Sequence, residues 1–203
     1  MGQKSKLIKN PKFGFIRREL VKLYGNHTTK QIIQLAQKHY AECELLCQNA
    51  SKGELQHLNG TILPTVAFYK ALLENDPQNA LQSAHGVMMN LCSIGGAFMG
   101  ALMTLPGMKS LFMRLLPRMA VNMFGESCGF QYENYAASRQ LIKMDITTCP
   151  YCRYAKSLGC PELMSVFCDS DFATYGNLPG IKFKRSQTLG TGGSYCDFRF
   201  IRE

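Results

Sequence analysis

The sequence lacks the marks of several common protein classes. It has no long run of basic residues and no recognised nucleic-acid-reading motif, although its 203 residues carry a net charge of +9. It also contains no internal repeat and no low-complexity tract. We therefore expect no nucleic-acid partner, and either one globular unit or a helical part packed on a mixed part. The positive charge is expected to attract a small-molecule carboxylate substrate.

No export signal is expected from the first residues of the sequence. Residues Met1–Lys12 are polar and have no apolar core, so no secretory signal is expected there. The nine cysteines are an odd number, and we expect them to be reduced thiols of a cytoplasmic protein. Disulfides are the less favoured use of these residues.

One uncharged run of 19 residues, Val87–Leu105, reaches the length of a membrane span. Polar residues interrupt it, Gly95–Gly96 lies in its middle, and no companion span accompanies it. The favoured interpretation is a buried central helix in which Gly96 and Gly100 allow a close helix approach. An interfacial helix, a true span and a docking site for a protein partner are the alternatives. No membrane partner is expected, and a homo-oligomer is left open.

Hydrophobic spacing predicts an α+β fold whose two parts pack as one compact unit. Residues 1–125 are the helical part, and residues 126–203 are the cysteine-containing α+β part. A helix over Phe13–Tyr24 is expected to end at Gly25, and the next helix is expected to bury an apolar stripe. The stripe consists of Ile32, Ala36, Tyr40, Cys43 and Cys47.

The remaining helical part is divided by its prolines and its polar residues. Ser51–Gly60 is polar and is predicted to be a loop. Further helices are predicted to begin at Leu63 and after Asp76, with Asp76 as the cap and Pro77 in the first turn. Met108–Phe124 is predicted to be an amphipathic helix that contains a proline.

The second part is predicted to be a small antiparallel sheet with two inserted helices. Alternating apolar and polar residues predict strands over Gln140–Thr147, Ile181–Leu189 and Tyr195–Ile201. The last two strands are expected to pair as a hairpin across a glycine loop. The two helices cover Pro150–Leu158 and Pro161–Phe172, and each has a proline near its start.

The segment Cys149-Pro150-Tyr151-Cys152 resembles the active-site segment of glutaredoxins. A cysteine at a helix N-terminus has a stabilised thiolate, and a second thiol one turn later resolves a mixed disulfide. Only 51 residues follow Cys152 (203 minus 152), and no Thr-Val-Pro turn is among them. The redox interpretation is therefore not favoured.

A metal site is the second interpretation of the cysteines. Four of them, together with Cys196, offer enough thiolates for zinc or an iron–sulfur cluster. The four are Cys149, Cys152, Cys160 and Cys168. Structural zinc sites usually have two close pairs, and the second pair is missing here. The cofactor therefore stays unknown: a metal or an iron–sulfur cluster is possible but not favoured, and no metal ligand is assigned.

A series of short motifs resembles the L-2-amino-thiazoline-4-carboxylic acid hydrolase family. The motifs are Leu63-Pro64-Thr65, Thr148-Cys149-Pro150-Tyr151, Cys160-Pro161-Glu162, Phe167-Cys168-Asp169-Ser170-Asp171, Arg185-Ser186-Gln187, and Gly193-Ser194-Tyr195-Cys196-Asp197-Phe198. Their order and spacing carry the resemblance, and Cys152 does not match a recurring position. The resemblance implies hydrolytic opening of a small cyclic, amidine-like C–N ring. The founding activity converts 2-amino-thiazoline-4-carboxylate to N-carbamoyl-cysteine.

This chemistry needs a nucleophile or an activated water, a proton donor and a cation for the carboxylate. The candidate catalytic thiols are Cys149, Cys168 and Cys196. Cys149 lies at a helix start, which favours a thiolate. Asp171 is the candidate acid or base, and Arg185 is the candidate carboxylate anchor.

Two further residues, His85 and Gly193, are included as candidate substrate-binding groups. The alternatives stay open, because each cysteine would also suit a packed core and Gly193 would also suit a hairpin turn. We lean toward an enzyme. The competing hypothesis is a non-enzymatic module that binds a small molecule or a metal, similar to 4-vinyl-reductase-type domains.

Overall fold

The computed structural model describes residues 6–203. The first five residues, which contribute to the expected absence of a secretory signal, lie outside the described range. The helical part contains α1 (Lys6–Lys9), α2 (Phe13–Leu46), α3 (Lys52–His57), α4 (Leu63–Asn75), α5 (Ala80–Met103) and α6 (Met108–Phe124). The rest contains β1 (Gln131–Ala137), β2 (Leu141–Thr148), α7 (Pro150–Ser157), α8 (Leu163–Tyr175), β3 (Ile181–Lys184) and β4 (Cys196–Arg202).

The four strands form one antiparallel sheet in the order β1-β2-β4-β3. α7 and α8 are inserted between β2 and β3. The predicted α+β fold, with a small antiparallel sheet and two inserted helices, is therefore confirmed. The predicted hairpin pairing is also confirmed, because Phe183 of β3 lies opposite Phe200 of β4.

β3 ends at Lys184, five residues earlier than predicted. The backbone N–H groups of Ser186 and Gln187 donate to Asp197 Oδ1 at 2.9 and 2.8 Å. These amides are satisfied by a side chain and not by a strand ladder. β1 was missed, because its seven residues are mostly exposed and show no inward alternation.

α2 confirms two predictions about the helical part. Gly25 has φ +73°, and this left-handed residue separates two helical segments within α2. The predicted stripe from Ile32 to Cys47 is buried along its length. The stripe belongs to a core that also contains α4 residues such as Val66 and Leu72, so α2 and α4 pack on each other.

Two boundaries in the helical part differ from the prediction. The predicted loop at Ser51–Gly60 is wrong, since Ser51 and Glu54 form a capping box that starts α3. α3 then continues through the π-helical turn Leu58–Ile62 into α4. α5 begins at Ala80 and not at Pro77, because the Asp76 carboxylate is held in a turn by the side chain of Asn79.

α5 is buried on one face only, so the prediction of a buried central helix is wrong for its outer face. Within residues 6–203, α5 is the one helix long and apolar enough to cross a membrane, judged by length and composition alone. Its outer face leaves Ile94 58% and Phe98 69% exposed. On the inner face, a Cβ at Gly96 would lie 2.7 Å from the carbonyl oxygen of Ala173. The expected close approach at this glycine is therefore made with α8.

Candidate active site

A cavity of about 300 Å³ lies between the inner face of the sheet and the helices α5, α6, α7 and α8. The sheet supplies apolar side chains from β2 and β4, and α8 supplies the polar side chains of Ser170, Asp171, Thr174 and Tyr175. Five of the seven residues predicted for the site line this cavity. They are Cys149, Cys168, Asp171, Arg185 and Cys196.

The alternation of β4 explains how Cys196 reaches the cavity. Side chains two residues apart lie on the same face of a strand, so Cys196, Phe198 and Phe200 point to the same side. β4 pairs with β2 so that Cys196 lies opposite Ile146 and Phe198 lies opposite Met144. All of these side chains line the cavity, and the paired strands therefore form one continuous wall.

α8 brings Cys168 and Asp171 together, because residues three apart lie on one face of a helix. The Arg185 side chain, which follows β3, is 4% exposed and lies against this face. Its Nη1 donates to the backbone oxygen of Cys168 at 2.9 Å and to Asp171 Oδ2 at 2.5 Å. The guanidinium carbon lies 4.8 Å from the ring centre of Phe172 and 5.7 Å from that of Phe198. Arg185 is thus a fixed, buried cation at the cavity wall.

Asp171 is the group in the cavity best suited to exchange a proton near neutral pH. Burial raises its pKa to about 7, although Arg185 favours the ionised form. Its side chain keeps 29% of its surface accessible, and it lines the cavity. The other titratable groups that interact with it are Asp169, Cys168 and Tyr175 on α8, Cys92 on α5 and Tyr151 on α7.

The thiols of Cys168 and Cys196 are held by the same short segment. Burial raises the pKa of Cys168, and a hydrogen bond from the Thr188 side chain partly offsets this. Burial raises the pKa of Cys196 to about 11, although the N–H of Leu189 donates to its Sγ at 3.3 Å. Both side chains are therefore neutral thiols at pH 7.

Cys149 caps the start of α7 with an extended backbone, φ −126° and ψ 120°. A hydrogen bond with Cys152, together with burial, raises the pKa of Cys149 well above its ordinary value. The same hydrogen bond lowers the pKa of Cys152. The two thiols titrate as a pair, and the thiolate is favoured on Cys152. This is the reverse of the sequence-based expectation for Cys149.

A hydrogen-bonded chain that the sequence did not reveal leads into the cavity from the helical part. Lys12 Nζ donates to Thr61 Oγ1 at 2.8 Å, and Thr61 is hydrogen-bonded to Tyr151. The Tyr151 hydroxyl lies 3.1 Å from His57 Nδ1, and His57 Nε2 lies 2.6 Å from the backbone oxygen of Met123. Since a carbonyl only accepts, Nε2 carries the proton and Nδ1 accepts from Tyr151.

Burial lowers the pKa of both ends of this chain, Lys12 and His57. Lys12 and Tyr151 line the cavity, so this hydrogen-bonded series adds a second basic side chain, besides Arg185, to the cavity wall. The sequence analysis did not select Lys12 as a candidate site residue. No local pattern marks it, because its position depends on the contact with Thr61, 49 residues away.

Cys92 of α5 is a further thiol on the cavity wall that the sequence analysis did not select. Burial raises its pKa, and hydrogen bonds with the Thr174 and Ser170 side chains act in the opposite direction. Cys92 interacts electrostatically with both Lys12 and Asp171. Cys92 therefore interacts with one charged residue from each part of the chain, Lys12 of the helical part and Asp171 of α8.

Two predicted site residues are not brought to the cavity. His85 lies on the surface with a 39% exposed side chain, and its Nε2 is 3.0 Å from Asp169 Oδ2. Gly193 packs against Gln187, and its N–H donates to the backbone oxygen of Thr188 at 2.8 Å. Its position suits the turn alternative that was left open for it.

Cys160 does not line the cavity that Cys149, Cys168 and Cys196 share. It is 1% exposed in a core formed by the N-terminal helices together with α7 and α8. Within residues 6–203, no group of three or more His, Cys, Asp or Glu side chains is arranged to hold a metal ion. The spacing-based interpretation as a metal site therefore gains no geometric support.

Comparison with known proteins connects this geometry to a family. The sequence model of the L-2-amino-thiazoline-4-carboxylic acid hydrolase family matches residues 56–200. The matched stretch contains His57, Thr61 and the five predicted residues that line the cavity, but not Lys12. No curated protein and no solved structure matches the chain.

Proposed function

Because the chain belongs to the L-2-amino-thiazoline-4-carboxylic acid hydrolase family, we propose that it opens a small cyclic, amidine-like ring by hydrolysis. The observation that carries this proposal is the Asp171–Arg185 pair at the cavity wall. The pair combines a carboxyl group that titrates at about 7 with a buried cation. A group that activates water and a cation that anchors the carboxylate are two of the groups that this reaction requires.

The proposed reaction adds one water molecule to the ring carbon that bears the exocyclic nitrogen. For 2-amino-thiazoline-4-carboxylate, water oxygen bonds to C2, the C2–S bond breaks, and the ring sulfur leaves as a thiol. The ring nitrogen stays bonded to C2, which becomes the carbonyl carbon of N-carbamoyl-cysteine. Atoms balance with water alone, and no oxidant or reductant is needed.

In this proposal Asp171, in its ionised form, takes a proton from the attacking water. Its protonated form then returns a proton to the leaving group. Arg185 binds the substrate carboxylate through Nη2, since its Nη1 is already engaged by Asp171 and Cys168. Lys12 supplies a second positive charge in the same cavity. The neutral thiols of Cys149, Cys168 and Cys196 line the reaction space and donate weak hydrogen bonds.

A thiol nucleophile is the competing mechanism within the same proposal. It requires loss of the proton from Cys149, Cys168 or Cys196, and the pKa of each is raised. Asp171 lies about one helical turn from Cys168 on α8, and it is the acidic residue of that helix that lines the cavity. If Cys149→Ser, Cys168→Ser and Cys196→Ser each keep full turnover, the thiol mechanism fails and the water mechanism stands.

A second candidate function, a non-enzymatic small-molecule-binding module, is favoured by one observation. The three predicted thiols are neutral at pH 7, which suits a binding cavity as well as a hydrolase. We also propose a cytoplasmic location, in which all these thiols stay reduced.

Turnover separates the two functions. The assay is mass-spectrometric detection of N-carbamoyl-cysteine, or its substituted product, from 2-amino-thiazoline-4-carboxylate and its C5-alkyl derivatives. We expect Asp171→Asn to lower turnover by at least about 100-fold, the usual worth of a general base. The matched control is Asp169→Asn on the same helix, which should change turnover by less than about twofold. Absence of turnover on every ring tested contradicts the hydrolase proposal.

A further inference from the structure

We infer that the ligand of this cavity is a carboxylate with an apolar tail, larger and less polar than 2-amino-thiazoline-4-carboxylate. The inference that the ligand carries a carboxylate rests on the proposed function, because it uses Arg185 as the anchor. The inference that the ligand carries an apolar tail rests on the residues that line the cavity.

The charged residues of the cavity wall favour one anionic group in the ligand. Among residues 6–203, Lys12 and Arg185 are the two cations that line the cavity, and Asp171 is its one acidic group. Arg185 is held against Phe172, and Lys12 is held by Thr61. Both cations are therefore fixed before a ligand arrives, which lowers the cost of ordering them on binding.

The rest of the cavity wall is mostly apolar. Six of its apolar side chains belong to one hydrophobic cluster or pack against it. They are Ala120, Phe124, Phe130, Met144, Ile146 and Phe198. An aminothiazoline carboxylate can offer such a wall only a ring CH₂ and a sulfur. A small polar ligand would leave most of this apolar surface uncovered.

The volume of the cavity is also large enough for a ligand with an apolar tail. A volume of about 300 Å³ falls at the lower end of the range of about 300–1,000 Å³ that holds drug-sized ligands. An apolar tail that displaces water from this wall is expected to contribute about 0.8 kcal/mol per buried CH₂, which is about fourfold in affinity. Affinity is therefore expected to increase with tail length because of the apolar wall, whereas Lys12 and Arg185 favour ligands that carry a carboxylate.

Calorimetric titration with linear carboxylates tests this inference without any turnover. Butanoate, hexanoate, octanoate and decanoate are titrated into the full chain at one pH and ionic strength. We expect affinity to rise by about fourfold per CH₂ until the tail fills the cavity, at one ligand per chain. Octanol, which has the same tail and no charge, should bind at least about tenfold more weakly than octanoate. Equal affinity across the series, or equal affinity for octanol and octanoate, overturns the inference.

Two variants locate the binding site. Ala120→Leu adds volume to the cavity wall and should end the gain in affinity at a shorter tail. Its control is Ala101→Leu on the exposed face of α5, which should leave the series unchanged. If Ala120→Leu does not fold, Met144→Phe adds volume from the sheet side. Loss of the series in Ala101→Leu alone would place the ligand on the surface of α5 and overturn the inference.

The failure of the inference and the failure of the hydrolase proposal give different results. An intact chain-length series without turnover of any aminothiazoline overturns the hydrolase proposal alone. Turnover of 2-amino-thiazoline-4-carboxylate with no gain from C5-alkyl groups, together with a flat chain-length series, overturns the inference about the tail alone.

Discussion

Two arginine–aspartate pairs differ in what surrounds their carboxylates: one joins α8 to the residue after β3, and the other joins the paired strands β2 and β4. In the cavity, Arg185 contacts Asp171 at 2.5 Å, and the arginine is the more buried member, with side-chain exposures of 4% and 29%. Elsewhere on the sheet, Arg199 contacts Asp145 at the same distance, and there the aspartate is the more buried member, with exposures of 24% and 7%. The two contact distances are equal, but the arginine is the more buried residue in the first pair and the aspartate is the more buried residue in the second.

The other hydrogen-bond partners of the two aspartates explain why their carboxylates have different roles. The second oxygen of Asp145 accepts from Asn134 Nδ2 at 3.0 Å, so both of its oxygens are engaged. Asp171 has its accessible surface in the cavity and a pKa raised to about 7. A carboxylate whose oxygens are both engaged holds strands together. A carboxylate with a free face in a cavity can exchange a proton with a ligand.

The largest expected effect comes from exchanging the two carboxylates for amides. Asp171→Asn should lower turnover by at least about 100-fold and leave the free energy of unfolding within about 1 kcal/mol. Asp145→Asn should do the opposite, with turnover near that of the wild type and a loss of stability on the order of 2–3 kcal/mol. Steady-state kinetics and urea denaturation measure both. Equal effects of the two substitutions on turnover would break the comparison.

A second comparison concerns the thiols of the cavity and those of the core. The Cys149–Cys152 pair has one favoured thiolate, whereas Cys43 and Cys160 are 1% exposed in the helical core. Alkylation at pH 7 should label the pair on the order of 30-fold faster than the core thiols, whose reaction requires opening of the core. Peptide mass spectrometry after timed labelling measures this. Faster labelling of Cys43 would contradict the assignment.

The pH dependence of carboxylate binding should sharpen the first comparison. Asp171 is protonated below about 7 and ionised above it. Its negative charge then competes with the ligand for Arg185. Octanoate affinity should therefore fall on the order of tenfold between pH 6 and pH 8 in the wild type. Asp171→Asn should remove this dependence, and Asp145→Asn should keep it. Affinity that rises with pH contradicts the sign of the effect.

The smallest expected effect on kinetics comes from breaking the hydrogen bond between Lys12 and Thr61. Thr61→Val removes the acceptor of Lys12 and should raise the KM roughly threefold, with little change in kcat. Thr65→Val is the matched control, because its hydroxyl donates to a backbone oxygen of the same helix. If Thr61→Val lowered kcat and left KM unchanged, the hydrogen bonds of Thr61 would act in the chemical step and not in substrate binding.

The parts of this fold that the sequence predicted correctly depend on local patterns. The strand alternation placed Cys196 and Phe198 on one face, and the proline after Cys149 marked the start of α7. Cys168 and Asp171 both lie in the predicted helix Pro161–Phe172, which corresponds to α8. The family suggested by these motifs is confirmed by the match over residues 56–200.

The parts that the sequence did not predict depend on contacts between distant segments. Lys12 and Thr61 meet across 49 residues, and His57 and Tyr151 meet across 94. β3 ends early because Asp197 binds the amides that would have extended it. The capping box of Ser51 was readable from the sequence, but the polar composition around it suggested a loop.

The most direct test of this account is the titration of Asp171 itself. Carboxyl ¹³C NMR of protein with labelled aspartate follows each side chain with pH, and Asp171→Asn identifies the resonance by its loss. The account predicts a midpoint at about 7, above the ordinary value of 3.8, and a shift of that midpoint when octanoate is bound. A midpoint near 3.8, unchanged by octanoate, would contradict the assignment of Asp171 as the proton-exchanging group of the cavity.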